Sequence, residues 1–251
     1  MISLDPLPGL PEIRPGDDLA ALLAAAAARL ADPLRPDDVL AIAHKVVSKA
    51  EGRVRRLADV EAGPEAQALA AEHGKDPHQV QVILDESIEL VRADAGRLIT
   101  RTRHGFVCAN AGVDASNAGS EGVVILLPVD PDGSARALRA SLGEHLGLAP
   151  AVMVTDSFGR AWRTGQCEIA LGCAGLAPLE DWRGRPDARG RTLEATHIAV
   201  ADEVAAAADL ARSKDSGEPA IRVRGLGRHV TAADGPGAGP LIRARADDLF
   251  R

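Results

Sequence analysis

Three short segments concentrate the residue types that handle phosphate and hard cations. Lys45 and Lys49 lie four positions apart in a chain with four lysines against twenty-five arginines. Lysine carries a compact point charge where arginine presents a planar fork. A composition that avoids lysine yet keeps two so close together points to phosphate contact, with a surface lysine pair at a strand end as the plainer alternative. The second segment, residues 104–117, reads HGFVCANAGVDASN and holds both asparagines of the chain. Asn tolerates left-handed backbone and offers a donor and an acceptor, while Asp supplies a full negative charge. Asp114 is a candidate ligand for a hard divalent cation and Asn117 a candidate partner for a nucleotide or the backbone; an ordinary tight loop would need neither role. In the third segment, TDSFGRAWRTGQ at 155–166, Asp156 and Ser157 offer oxygens to a metal, and Arg160 and Arg163 bring two guanidinium groups suited to phosphate or carboxylate. Trp162 between them either stacks or packs. Together these are the parts of a metal-assisted phosphoryl-transfer site.

Such residues need regular elements to hold them. Residues 39–47 (VLAIAHKVV) form an apolar run interrupted by His44 and Lys45 and read as a buried strand, with 48–53 as a polar turn. Residues 98–102 and 105–108 can pair as strands beside the asparagine-bearing loop. Residues 122–129 and 151–155 read as buried strands, the latter delivering Asp156 at its C-terminal end. Further strands are expected at 169–174, 193–200 and 220–224. Helices are expected from Asp18 to about Leu30, over 64–73, over 77–90 on the spacing of Val80, Ile83, Leu84 and Ile88, from near Ser134 to near Gly147, and over 202–210. No internal repeat and no regular βαβ rhythm emerge. The expected fold class is α+β, with mixed or antiparallel sheets and flanking helices rather than a doubly wound sheet.

Composition narrows the function classes. A net charge of -7 argues against a general nucleic-acid surface, which needs a basic face. No apolar run approaches the ~20 residues that span a bilayer, and the opening residues, acidic and proline-rich, lack the basic and apolar regions of a secretory signal. A cytoplasmic protein without membrane partners is expected. Cys108, Cys167 and Cys173 are odd in number and lack CxxC spacing, which disfavours a disulfide framework or zinc site. Cys108 reads as a small buried hydrophobe; His104 reads either as a hydrogen-bonded structural histidine or as a neighbour of the substrate. There is no GxxxxGK[ST], no GxSxG and no HExxH, and the short 225–228 glycine pair reads as a turn.

The motifs VVSKAEGRVRRL (46–57), HGFVCANAGVDASN (104–117), LLPVDPDGSA (126–135) and TDSFGRAWRTGQ (155–166) resemble the coenzyme F420-0:L-glutamate ligases. DWRGRPDARGR (181–191), VADEVAAAADL (200–210) and VRGL (223–226) follow in the family's order, so the resemblance covers nearly the whole chain. It implies one functional unit over 1–251, without the fused flavin-binding nitroreductase-like domain of two-domain relatives. It further implies two intimately associated subdomains and an intertwined homodimer. The implied activity is GTP-dependent formation of an amide between F420-0 and L-glutamate through an acyl phosphate, with further γ-linked glutamates as an extension, using Mn2+ or Mg2+ together with K+.

By motif position the resemblance makes Asp114 and Asp156 metal ligands, gives Ser157 to a second metal, and puts Lys49 and Asn117 on GTP. Leu10, Pro11, Glu12 and Ile13 match an N-terminal nucleotide contact. His44 and Lys45 match a second one, where the family often carries small hydroxyl residues. Residues 214–218 align with a nucleotide-binding loop of different length. Arg160 and Arg163, chosen from their spacing alone, are the candidate catalytic pair for the anionic substrate. The competing readings are a ligase of the same fold acting on a different acid or amino acid, and a non-catalytic nucleotide- or metal-binding subunit.

Overall fold

The computed structural model describes residues 1–116, 118, 120–213 and 215–248. Its strands and α-helices run β1 (Ser3–Pro6), α1 (Leu19–Ala27), β2 (Val39–Ala43), α2 (His44–Ala50), β3 (Val54–Arg56), α3 (Pro64–His73), α4 (Pro77–Asp85), β4 (Ser87–Asp94), β5 (Arg97–Thr102), β6 (Val107–Ala109), β7 (Val123–Ile125), α5 (Pro131–Leu146), β8 (Ala151–Arg160), β9 (Arg163–Ala174), β10 (Glu180–Asp181), β11 (His197–Ile198), α6 (Val200–Leu210) and β12 (Ala220–Arg224). The main sheet has the order β1–β12–β2–β8–β9, parallel between β2 and β8 and antiparallel elsewhere. β4–β5–β6, β3–β7 and β10–β11 form smaller antiparallel sheets. The α+β expectation, with mixed and antiparallel sheets and flanking helices, is met.

The main sheet is apolar on both faces because helices cover both. Along β2, Leu40 and Ile42 point into a cluster with Leu23 of α1, Leu142 of α5 and Val152 and Val154 of β8. Val39 and Ala41 point the other way, against Val200, Val204 and Ala208 of α6, with Met153, Ile221 and Val223. Period-two alternation thus serves two cores at once, which is why these strands read as unbroken apolar runs. A third cluster joins α3 and α4 (Ala66, Ala70, Val80, Ile83) to Leu98, Val113 and Val124. Without tyrosine and with few other aromatics, close backbone approach replaces bulk: a Cβ on Gly172 of β9 would lie 2.2 Å from the carbonyl carbon of Pro131 in the first turn of α5.

Several expected elements change type or length. The 39–47 run is not one strand: β2 stops at Ala43, where its parallel pairing with β8 ends at Thr155, and α2 begins at His44. The helix expected over 77–90 ends at Asp85. The Ser87 hydroxyl donates to the Ile83 carbonyl at 2.5 Å and closes the last turn, and the chain leaves as β4, paired with β5. The 122–129 strand shrinks to Val123–Ile125, and 193–200 yields only His197–Ile198. Asp156 is not at a strand end, because β8 continues to Arg160 and turns straight into β9. The helix over 64–73 and the strand over 220–224 match the sequence reading closely, while the helix expected from near Ser134 starts three residues earlier, at Pro131.

Gly172→Ala, by forcing the α5 turn away from β9, is expected to cost about 1–3 kcal/mol or more in denaturant unfolding. Gly143→Ala, on α5 with an ordinary 3.6 Å contact to Ala149, should be neutral or stabilising by up to ~1 kcal/mol. Equal effects of the two substitutions would contradict the packing described.

Candidate functional site

One large cavity, about 1010 Å³, opens where the N-terminal segment, α2, the 108–116 loop, the β8–β9 hairpin and the stretch after α6 meet. Starting α2 at His44 has a direct consequence for its wall. Lys45 and Lys49 fall at i and i+4 and share one face of the helix, while His44 and Ser48 form the neighbouring pair. The N-terminal segment is pinned beside them. Ile13 is buried in the main core, and the Gly16 amide donates to the Ala50 carbonyl at the end of α2 at 2.9 Å. Leu10, Pro11, Glu12, Ile13, His44, Lys45, Lys49, Asp114, Asp156 and Ser157, all singled out from the sequence, line this cavity.

The charges are paired in a definite order. Glu12 meets the Lys49 Nζ at 2.5 Å. The Lys45 Nζ lies 2.7 Å from Asp114 Oδ2 and donates to the Ser116 hydroxyl, also at 2.7 Å. Asp114 additionally accepts from the Ser116 amide (2.6 Å) and hydroxyl (3.0 Å), and its own backbone is tied to Ile125 by two hydrogen bonds of 3.0 and 2.8 Å. Burial pushes the Asp114 carboxyl up, but Lys45 and Ser116 outweigh it and hold the group below the ordinary carboxylate range.

Among the described residues Asp156 has no such counter-charge within hydrogen-bond reach. It accepts the Ser157 amide at 2.8 Å, and His44 Nε2 stands 3.5 Å from its Oδ1. Burial, reinforced by the Glu168 and Asp114 charges and only partly opposed by the Ser157 amide and Lys45, raises its carboxyl to about 7. The His44 ring does not supply the missing positive charge: burial first, then Lys45, lower its pKa to about 3, so it is neutral at physiological pH. Its Nδ1 faces the Ser48 hydroxyl at 3.2 Å, and its buried Nε2 makes no hydrogen bond within normal limits.

Sequence reasoning missed Glu168 and Arg212. Glu168 lies on β9 directly opposite Ser157, accepts the Ser157 hydroxyl at 2.8 Å, and faces the Arg212 guanidinium at 3.6 Å. That separation is an ion pair rather than a hydrogen bond, and among the described residues Glu168 Oε2 has no hydrogen-bond partner. Arg212 also reaches the Thr155 hydroxyl at 3.4 Å and the Pro219 carbonyl at 3.3 Å, bracing the stretch after α6 against the sheet. Asp215, Gly217 and Glu218 of the expected nucleotide loop border the cavity, as does Ser213 just before it. Asn117 and Lys214 lie outside the described residues.

Arg160 and Arg163 are not on the cavity wall. They flank the exposed end of the hairpin, where an Arg160 Nη2 donates to the Thr164 carbonyl at 3.3 Å. His104 takes the structural role: its Nε2 lies 2.9 and 3.1 Å from the carbonyls of Pro128 and Val129. Cys108 is an inert thiol, pushed up to about 12 by burial and by the Asp156 charge. Asn110 finds a backbone reason. With φ of 53°, it opens a run with Ala111 at 54° and Gly112 at 71°. A Cβ on Gly112 would sit 2.8 Å from Leu127, so the loop bearing Asp114 presses onto the core.

Among the described residues no three His, Cys, Asp or Glu side chains converge tightly enough to cage a metal ion. The oxygens of Asp114, Asp156, Ser157 and Glu168 instead fit a hard ion that takes few protein ligands and completes its shell with water and phosphate, as Mg2+ and Mn2+ do. The raised Asp156 carboxyl is the observation that fits such an ion. In metal-free protein that group should remove stability as pH rises from about 4 to about 7, since the folded state favours the protonated acid across that window and no longer gains once it ionises. Asp156→Asn should flatten this dependence. Mn2+ should raise the melting temperature of the wild type more at pH 8 than at pH 5.5 and leave Asp156→Asn unmoved. An equal Mn2+ shift in both proteins would remove Asp156 from the ligand set.

Known proteins match the chain over most of its length. The family described as F420-0:Gamma-glutamyl ligase matches residues 9–225. A protein of Methanothermobacter thermautotrophicus named Coenzyme F420:L-glutamate ligase is 44% identical over 251 residues, covering 100% of this chain and 99% of its own. Proteins of the same name from Methanopyrus kandleri and Haloarcula marismortui are 46% and 43% identical, covering 100% and 97% of this chain and 98% and 93% of their own.

Proposed function

The chain belongs to the F420-0:gamma-glutamyl ligase family, and from that premise we propose that it joins L-glutamate to F420-0 at the expense of GTP, through an acyl phosphate. The observation that carries the reading is the convergence of Lys45, Lys49, Asp114, Asp156, Glu168 and the Ser157 hydroxyl on one cavity large enough for a nucleotide.

A carboxylate is a poor electrophile and must first be activated. In this reading the F420-0 carboxylate oxygen attacks the γ-phosphorus of GTP and the bridging oxygen leaves with GDP. The glutamate amine then attacks the acyl carbon, the C–O bond to phosphate breaks, and the surplus amine proton is lost as the amide forms. Lys49 and Lys45 carry the positive charge that binds the triphosphate, released for it from Glu12 and Asp114. Leu10, Pro11, Glu12 and Ile13, with His44, border the nucleotide, and Asn117 joins Lys49 on GTP by motif position. Asp114, Asp156, Ser157 and Glu168 are the groups that would hold Mn2+ or Mg2+. Such an ion, when bound, supplies charge compensation at the transferred phosphoryl group. K+ is a further expected cofactor. Arg160 and Arg163, beyond the cavity, are assigned to the anionic part of F420-0.

The homodimer is part of the same proposal: Ile88, Leu90 and Val107 of the three-stranded sheet are exposed apolar side chains that a second copy would cover. Light scattering measures this directly, and a monomer at working concentration would end it.

Incubation with GTP, Mn2+ and glutamate, with and without F420-0, tests the reaction. GDP release that requires F420-0, and a product heavier by one or more glutamyl units, are expected. GTP binding without turnover favours a non-catalytic subunit, and turnover only with another acid favours a sister ligase. Asp114→Asn and Lys49→Ala should each lower kcat/KM by about 100-fold or more while the far-ultraviolet circular dichroism stays unchanged.

A further inference from the structure

The β8–β9 hairpin continues past the cavity wall. Its last cross-strand pair on the cavity wall is Gly159 opposite Gln166. One residue further on, Arg160 pairs with Arg163, leaving Ala161 and Trp162 as the turn. Trp162 holds a φ of 62°, a backbone region that turns normally give to Gly or Asn and that penalises a bulky side chain. Its side chain is 86% exposed. In a chain with two tryptophans, three phenylalanines and no tyrosine, one of the few large aromatics is thus largely exposed in a strained turn. Strain of this kind persists where it serves a ligand or a switch.

Gly159 points the same way independently. Its φ is not positive, and an added Cβ would meet nothing within 4 Å. Neither backbone conformation nor internal packing asks for glycine there, and glycine inside a strand weakens it. A bare stretch of strand that faces open cavity is a place where a ligand lies flat against the backbone. The cavity's 1010 Å³ matches the upper end of the roughly 300–1,000 Å³ that encloses one ligand, so a nucleotide fills much of it and a second substrate must extend outward along a wall.

We propose that the outer hairpin is the acceptor subsite: the Gly159 backbone is a flat shelf, Trp162 is the surface on which a planar conjugated ring of the acceptor stacks, and Arg160 and Arg163 flank it for the acceptor's anionic groups. This rests on the ligase reading and adds where the acceptor's ring binds. Stacking on an aromatic side chain is sequence-independent surface chemistry that a guanidinium on either side strengthens for an anion.

The test uses the full-length protein with Trp162→Ala, Trp162→Phe and Gly159→Val, measuring F420-0 binding by calorimetry and F420-0-dependent GDP release with F420-0 varied at saturating GTP. Trp162→Ala and Gly159→Val should raise the acceptor Kd and KM about 5- to 10-fold or more, with the GTP Kd within two-fold of wild type, and Trp162→Phe should recover most of the loss. Wild-type protein that neither binds nor turns over F420-0 would sink the ligase reading and this inference together. Active wild type with an unaltered acceptor KM in Trp162→Ala and Gly159→Val would overturn the subsite alone. A Trp162→Ala protein that loses activity only by changing oligomeric state in light scattering would assign the tip to a subunit contact and overturn it as well.

Discussion

Asp114, Asp156 and Glu168 come from three different strands and loops and face one cavity, and their mutual repulsion is the constraint to which the rest of the site responds. Each carboxylate receives a different answer. Asp114 has Lys45 and two donors from Ser116. Glu168 has the Ser157 hydroxyl and, at longer range, Arg212. Asp156 has, among the described residues, one amide and a neutral histidine, and its carboxyl rises to about 7. Burying a carboxylate without a counter-charge is unfavourable unless something else binds there. The scaffold must therefore be stiff enough to hold Asp156 in place, and β8 is: it is paired on both sides and its Val152, Met153 and Val154 are fully buried.

Much of the site was legible in the sequence, because rarity of residue type carried it. In an arginine-rich chain the retained Lys45 and Lys49 marked a wall of the cavity, and the asparagine-bearing stretch marked the loop that presents Asp114. What composition could not supply was the backbone between these points. VLAIAHKVV satisfies a strand and a helix equally, with no Gly or Pro at the junction. Its break after Ala43 is decided by where β8 stops pairing, a contact between residues more than a hundred positions apart. The same holds for Ile88, which continues a helical spacing but belongs to β4, since pairing with β5 outweighs local periodicity there.

Glu168 and Arg212 show two different kinds of illegibility. Glu168 was only half recoverable: taking 155–166 as a hairpin with a two-residue turn would set Ser157 opposite Gln166, and the register shift between Gly159 and Arg160 moves the pairing on to Glu168. Reading Asp156 as a strand end concealed that partner. Arg212 had no such signal. It follows α6 among many surface arginines, and only folding brings it to Thr155, Glu168 and Pro219.

The asparagine-bearing loop combines both lessons. Its two asparagines looked equivalent by type, yet Asn110 serves the backbone, opening three consecutive left-handed residues. Gly112 then packs so closely on Leu127 that no side chain fits, and the bridge from Asp114 to Ile125 fixes the next turn. Leu127 itself packs with Phe106, Cys108, Phe158 and Leu171, two of them on the β8–β9 hairpin. The position of the Asp114 carboxylate is therefore set from the same small apolar cluster that seats the hairpin bearing Asp156 and Ser157. Distances between the carboxylates are governed by that shared packing, so a change at Leu127 or Phe158 would move both sides of the site without touching a charged group.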